Sequence, residues 1–349
     1  MKGIWWKTTG VLILVYVFVA GLLTPIKPGI MAINPSAARA GQALQIKVNG
    51  YNTHFQQGEN RAWLVQGADF VWPAQSAVAT DEVNLQLDFT LPEFLPADAL
   101  RQEFRLLIDN PTDGRIVSEQ TLAITQETSN ATQGAASWQA ATISELHTRR
   151  GMAFPHLAQL RESIRNLYFH VSLWFAMTIL FIAAMVYSVR HLRHFREHDD
   201  RMAKALTTVG LLYGLLGLAT GAIWAKNTWG DYWSWDPKQN MTAIALLIYA
   251  AYFVLRSAFE DPEKKARIAA VYNIFAFATL IPLTYVLPRM AESLHPGAEG
   301  NPGLASADLD STMRMVFYPA IIGWTLLGLW MAQLSYRADR LRDRLLNDF

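Results

Sequence analysis

The sequence predicts a polytopic α-helical membrane protein, with about six transmembrane helices and an all-β, sandwich-like domain inserted between the first and second helices. Two observations predict this fold. Of the 349 residues, 52% are hydrophobic and only 17% are charged, and the apolar residues gather in runs long enough to cross a bilayer as helices. Between the first two runs, apolar and polar side chains alternate with the period of two that a half-buried strand requires.

The apolar runs are the candidate transmembrane helices. They lie near residues 10–26, 169–189, 205–225, 240–256, 268–288 and 315–334. The first run could instead belong to a cleaved signal peptide, because Ala38-Arg39-Ala40 has the pattern of a cleavage site. The run is long for a signal peptide and the tripeptide lies well beyond its end, so we predict an uncleaved anchor over residues 1–26.

Lysine and arginine predict the orientation of the helices. They concentrate at the N-terminal tip, in residues 190–204 and 256–267, and in the tail over residues 336–349. Basic loops stay in the cytoplasm, so both termini are expected there. The outer side then receives residues 27–165, the loop between the third and fourth runs, and residues 289–312.

The outer segment is predicted to contain the β domain, over residues 27–125. Val83, Leu85, Leu87 and Phe89 alternate with polar residues, and residues 109–114 have the composition of a tight turn. The domain shows no catalytic constellation, so docking or shielding is its expected role. Residues 126–165 follow as a polar linker and an amphipathic helix.

Composition also excludes several functions. The chain has no cysteine, so it cannot carry out thiol–disulfide exchange, ligate a metal through thiolate or attach a cofactor by a thioether. Its formal net charge is +1, which predicts no nucleic-acid partner. Four glycines in the third run have small-xxx-small spacings, which favour close helix packing over ligand contact: Gly210, Gly214, Gly217 and Gly221.

The most unusual segment is the tryptophan-rich loop over residues 224–240. Trp229, Gly230, Tyr232, Trp233 and Trp235 precede Asp236 within eight positions. Interfacial belts also collect Trp and Tyr, but they scatter them along the spans. The loop is therefore predicted to form an aromatic platform for a flat, apolar ligand.

Two of the eight histidines are expected at the same face as this loop. His170 stands at the outer end of the second run and His295 follows the fifth, whereas the others belong to basic or outer segments. Zinc usually takes more protein ligands, while haem takes one or two axial histidines and apolar cover, so haem fits this pair better. Five nearby cations are candidates for its propionates: Arg165, Lys226, Lys238, Arg289 and Arg314.

The segment Trp229-Gly230-x-x-Trp233-x-Trp235-Asp236 resembles the WGxxWxWD signature (WWD domain) of the haem-handling proteins of cytochrome c biogenesis, a family that includes CcmC, CcmF and CcsA. The arrangement looks most like CcmC, over the first span and a five-helix core at residues 166–335. The resemblance implies that His170 and His295 are the axial ligands of a haem b and that the loop residues through Asp236 form its platform. The sequence from Tyr232 to Lys238 resembles the CcsA branch more closely.

The resemblance also implies a role without bond-making catalysis: haem binding at the periplasmic face of the bacterial inner membrane and handover to a CcmE-like haem chaperone. Partners resembling CcmA, CcmB and CcmD, which are subunits of an ABC transporter and a small single-span helper, are implied on the same ground. Two alternatives remain open. One is a CcsA-like cytochrome c synthase, and the other is a transporter or receptor for another amphipathic ligand.

Overall fold

The computed structural model describes residues 3–139, 143, 145–158, 160–295 and 309–347. The chain divides into two compact units. One comprises Pro25–Arg161, and the other joins Met1–Thr24 to Glu162–Phe349. The first unit contains the β-sheets and the second contains the long helices, as the sequence predicts.

The β unit consists of two sheets. Its described strands are Gly29–Asn34 (β1), Ala37–Arg39 (β2), Ala43–Tyr51 (β3), Arg61–Gln66 (β4), Phe70–Pro73 (β5), Ser76–Ala79 (β6), Asn84–Thr90 (β7), Arg101–Asn110 (β8) and Gly114–Thr125 (β9). One sheet has the order β1-β3-β7-β6 and the other β2-β9-β8-β4-β5. The β2–β9 pair is parallel and the other described pairs are antiparallel.

The alternating pattern places one face of each sheet in a common core. In β7, Leu85, Leu87 and Phe89 are buried, and the polar residues between them are partly exposed. These side chains join those of β3 and β8 in a single cluster. The predicted sandwich-like domain is therefore confirmed.

Residues 126–139 are more ordered than a polar linker would be. Ala131–Gln139 forms a helix (α2), and Trp138 is completely buried against Phe104, with ring centroids 4.3 Å apart. The Trp138 indole also donates a hydrogen bond to the Phe94 carbonyl. Apart from Trp138, α2 carries small and polar residues, which explains its linker-like composition. Before the second span, a 3-10 helix occupies Arg161–Tyr168.

The second unit is helical. Its α-helices are Ile4–Leu23 (α1), His170–His194 (α3), Glu197–Trp229 (α4), Pro237–Ser257 (α5), Pro262–Ile281 (α6) and Ser311–Asn347 (α7). Within the described residues, six helical segments are long and apolar enough to cross a membrane. The prediction of six spans is confirmed, and the chain is a multi-pass membrane protein.

The helix ends follow from local sequence. Asp236 and Asp261 each accept a hydrogen bond from the backbone N–H two residues later, and a proline follows each of them, which caps α5 and α6 in the same way. Gly230 ends α4 with a φ of 93°, a left-handed conformation that glycine adopts without steric cost. The tryptophan loop thus lies between a glycine stop and an aspartate start.

Glycines on α4 let α3 approach closely. A Cβ atom at Gly210 would lie 2.5 Å from Phe181, and one at Gly217 would lie 2.8 Å from Trp174. One at Gly221 would lie 2.6 Å from His170. The predicted packing role of this stripe is confirmed, and its last glycines make room for rings at the candidate site.

Candidate functional site

The tryptophan loop has an unusual backbone at Trp235. Its φ is 58°, which is a strained conformation for a bulky residue, and 77% of the residue is exposed. Two bonds brace this turn: the Asn240 amide donates to the Trp235 carbonyl at 2.7 Å, and the Ser234 N–H donates to the Gln239 side chain at 3.0 Å. Strain of this kind persists where the surroundings enforce it, often at functional sites.

Asp236 connects the tryptophan loop to the segment after α6. Its carboxylate accepts hydrogen bonds from the Ser293 hydroxyl at 2.9 Å, the Leu294 N–H at 2.7 Å and the His295 ring at 2.8 Å, besides capping α5. The Asp236 side chain is 1% exposed. We call these contacts between Asp236 and residues 293–295 the carboxylate clasp.

Asp236 is held in its charged form. Burial alone would raise the pKa of Asp236, but the charge that His295 can carry, the two backbone N–H donors and the Ser293 hydroxyl together lower this pKa below its ordinary value. Asp236 is therefore a buried anion that accepts hydrogen bonds from donors on two segments.

The clasp fixes the tautomer of His295. A carboxylate only accepts, so the proton of the neutral ring lies on Nδ1, and the Nε2 lone pair is left over. Burial lowers the pKa of His295 below 6.5, and outweighs the opposite influence of Asp236. The structure thus presents a neutral imidazole, which is the form that binds a metal.

Aromatic rings surround His295. Trp229 lies edge-on to the imidazole with centroids 4.8 Å apart, and Trp224 lies 6.3 Å from it. Trp224 also contacts Trp229 and donates to the Ser163 hydroxyl at 3.2 Å. The site thus joins both ends of the tryptophan-rich segment with the second predicted histidine.

His170 is held by the backbone of α4. Its Nδ1 lies 2.8 Å from the Gly217 carbonyl and 3.2 Å from the Thr220 hydroxyl. A carbonyl only accepts, so this ring also carries its proton on Nδ1 and has its lone pair on Nε2. The close approach of the ring to Gly221 explains why α4 has no side chain there.

The structure places His170 and His295 close enough for their charges to interact. The structure thus brings His170 near His295, which in turn contacts Trp229 and Asp236; that these residues form one haem site remains a prediction. Tyr232 and Trp235 differ from Trp229, because both are mainly exposed. Trp233 is partly buried and contacts Trp235 edge-on, with ring centroids 6.5 Å apart.

Several site residues were not singled out from the sequence. Trp174 donates its indole N–H to Nε2 of His170 at 3.3 Å, and Ser293 and Trp224 support His295. The sequence held a signal for one of them, because Trp174 follows His170 by four positions. Residues three or four positions apart on a helix are neighbours.

The donor set suits an iron porphyrin. Two neutral imidazoles each commit Nδ1 to the protein, which leaves Nε2 as the candidate ligand, and indoles lie beside one of them. Within the described residues, His, Cys, Asp and Glu form no group of three or more that could hold a metal ion.

The five candidate cations differ in their contacts. Arg165 donates to the Gly21 and Thr24 carbonyls, and Lys226 donates to the Gly230 carbonyl and lies over the Tyr232 ring. Lys238 lies near enough to Arg289 for their charges to interact. Lys238 lies beside the clasp, because its backbone N–H donates to Asp236 and the charge of its side chain acts on His295. Nε of Arg314 is buried and forms no hydrogen bond with the described residues.

The chain is similar to known proteins over much of its length. The family model described as CcmC, heme exporter protein C, matches residues 120–348, more than half of the chain. Heme exporter protein C of Haemophilus influenzae is 28% identical over 201 residues, which cover 55% of this chain and 78% of that protein. The protein of the same name from Paracoccus denitrificans is 29% identical over 178 residues, or 50% and 69%.

A second group of relatives matches a shorter stretch. Cytochrome c biogenesis protein CcsA of a Synechococcus strain is 37% identical over 82 residues, which cover 24% of this chain and 27% of that protein. The family match begins at residue 120, so most of the β unit lies outside it.

Proposed function

The chain belongs to the CcmC family of heme exporter protein C, and on that premise we propose that it binds haem b at the extracytoplasmic membrane face and presents it to a haem chaperone. The family assignment makes it a haem-handling membrane protein of cytochrome c biogenesis. The handover, the site residues and the partners are our proposals. Haem is the cargo here, so no bond needs to be made or broken in it.

The observation that carries the proposal is the pair of oriented histidines. His170 and His295 would ligate the iron through Nε2, because each has its Nδ1–H bound by the protein. A hydrogen bond at Nδ1 fixes the ring orientation and raises the basicity of the ligating nitrogen. Both imidazoles would therefore be oriented for iron before haem binds.

The aromatic residues would cover the porphyrin. Trp229 packs against His295, while Tyr232 and Trp235 are exposed and thus available to a flat ligand or a partner. Gly230 ends α4, and the braced turn at Trp235 holds the platform in shape. Of the cations, we assign Lys238 and Arg289 to the propionates, because their mutual repulsion is relieved by anions placed between them.

We place the protein in a bacterial inner membrane, with both termini in the cytoplasm and the β unit and the haem site in the periplasm. The basic segments support this orientation. The partners would be a CcmE-like haem chaperone, CcmA-like and CcmB-like transporter subunits and a CcmD-like single-span helper, by analogy with the family. The lipid bilayer surrounds the helical unit, and no nucleic acid is involved.

Spectroscopy of the purified full-length protein tests the ligands. We expect His170→Ala and His295→Ala each to lower haem retention by at least about tenfold, since loss of a ligand exceeds the effect of losing a group that merely orients one. His194→Ala is the matched control, because His194 is an exposed histidine at the opposite end of α3. Unchanged Soret bands in both site variants would refute the ligand assignment.

The CcsA relatives motivate a second candidate, a cytochrome c synthase. Their identity to this chain is higher than that of the heme exporter proteins, although over a shorter stretch. Co-expression with an apocytochrome in cells that lack a haem chaperone separates the two. Covalent holocytochrome formed there would favour the synthase, whereas haem-loaded chaperone formed only when this protein is present supports handover.

A further inference from the structure

Trp174 contacts the ligating atom of one histidine. Its indole N–H donates to Nε2 of His170 at 3.3 Å, and the two rings are nearly perpendicular, at 82°. An indole N–H can only donate and a carbonyl can only accept. Trp174 and Gly217 therefore specify between them a neutral ring with its proton on Nδ1.

The Trp174 and His170 rings both contact Gly217. A Cβ atom at Gly217 would lie 2.8 Å from Cε2 and 3.1 Å from Nε1 of Trp174, and the Gly217 carbonyl binds the His170 ring at 2.8 Å. The approach of α3 to α4 thus positions the donor and the acceptor together. The contact is built into the helix pair.

This hydrogen bond competes with iron for one lone pair. Nε2 of a neutral imidazole has a single lone pair in the ring plane, and a nitrogen bound to iron has none left to accept a hydrogen bond. His295 differs, because its Nε2 forms no hydrogen bond with any residue that the structure describes. Competition is therefore confined to one of the two ligands.

We propose that Trp174 is a gate on His170, a positioning residue that occupies Nε2 when haem is absent and so promotes release of the cargo. The inference rests on the proposed function. Without the indole N–H, the haem-free state loses a hydrogen bond while the haem-bound state does not. Haem is then retained longer, which is unfavourable in a protein that must hand it on.

The test replaces Trp174 with phenylalanine, which keeps a ring but removes the N–H. In the full-length protein loaded with haem, transfer to excess apomyoglobin is followed at the Soret band. We expect Trp174→Phe to release haem about three- to tenfold more slowly, as for the net effect of one hydrogen bond. Trp324→Phe is the control, because its indole donates to the Tyr168 carbonyl at 3.2 Å and to no imidazole.

A second measurement needs no haem. In haem-free protein labelled with ¹⁵N-histidine, solid-state NMR reports the Nε2 signal of His170, and we expect Trp174→Phe but not Trp324→Phe to shift it. Release at the wild-type rate or faster from Trp174→Phe, or an unshifted Nε2 signal, would overturn the gate. Failure of the proposed function is distinguishable, since wild-type protein itself would then show no Soret band after haem addition.

Discussion

The two proposed iron ligands are held by different kinds of partner. His170 lies at the start of α3 and binds a backbone carbonyl of α4, whereas His295 lies in the segment after α6 and binds the carboxylate of Asp236. A helix carbonyl moves only with its helix. A carboxylate clasp between two loops breaks when either loop moves.

This difference suggests a division of labour in handover. His170 is held by the packing of α3 on α4, which would keep this ligand in position. His295 is held by a few hydrogen bonds that Asp236 makes. Loops open at lower free-energy cost than packed helices. We therefore expect the clasp to open before His170 gives up the haem, and the following variants test that asymmetry.

The largest effect is expected on the helix side. Gly221→Leu puts a Cβ atom 2.6 Å from Cε1 of His170 and displaces the ring. Overpacking of this kind costs enough to lower haem retention by up to about 100-fold. Haem retention is measured by the Soret band after purification.

Ala219→Leu is the matched control for this variant, because Ala219 is exposed on the same turn of α4. It adds similar bulk away from His170 and is expected to leave haem retention unchanged. Equal retention in Gly221→Leu and the wild type would show that His170 is not held against α4 when haem binds.

A smaller effect is expected from opening the clasp. Asp236→Ala leaves the His295 ring, the Leu294 N–H and the Ser293 hydroxyl without their acceptor, so the ligand loses its orientation. We expect about tenfold weaker haem retention, as for other groups that orient a metal ligand. Titration of haem into the purified variant gives the affinity.

Asp231→Ala controls for the lost charge, because Asp231 is an exposed acid in the same loop. If Asp231→Ala weakens haem binding as much as Asp236→Ala, the charge of the loop matters and the clasp does not.

The fold was predictable from sequence because both of its patterns are local. The apolar runs over 205–225 and 268–288 correspond to α4 and α6, and the alternation at Leu85 to Phe89 corresponds to β7. Residues 126–139 were harder to predict, since the packing of α2 depends on one buried side chain, Trp138, in a polar segment.

The site was predictable only in part. Topology placed His170 and His295 at one face, and a motif resemblance selected the tryptophan loop. No periodicity relates Asp236 to His295, which lies 59 positions later, so the clasp appears only when the chain is folded. Asp236 was expected in the haem platform, yet its described contacts are with the His295 segment and the start of α5.

A weaker variant tests how the clasp distributes its contribution. Ser293→Ala removes the hydroxyl that donates to Asp236 and that accepts from the His295 backbone N–H at 3.2 Å. The hydrogen bond between the His295 ring and Asp236 remains. We expect haem retention to fall about two- to threefold, the effect of a weak, partly exposed hydrogen bond. A fall as large as that in Asp236→Ala would mean that Ser293, and not the histidine contact, holds the loop closed.

The smallest effect on retention is expected at Trp235. Because the residue is 77% exposed and has a φ of 58°, Trp235→Gly loses little buried surface and relieves backbone strain. Thermal unfolding should therefore be unchanged, and haem retention should fall by about twofold or less while the clasp stays closed. Transfer to the chaperone should fall further, since the exposed indole would guide the cargo outward. A tenfold loss of retention in Trp235→Gly would contradict this, because the indole and not the pair of oriented histidines would then hold the haem.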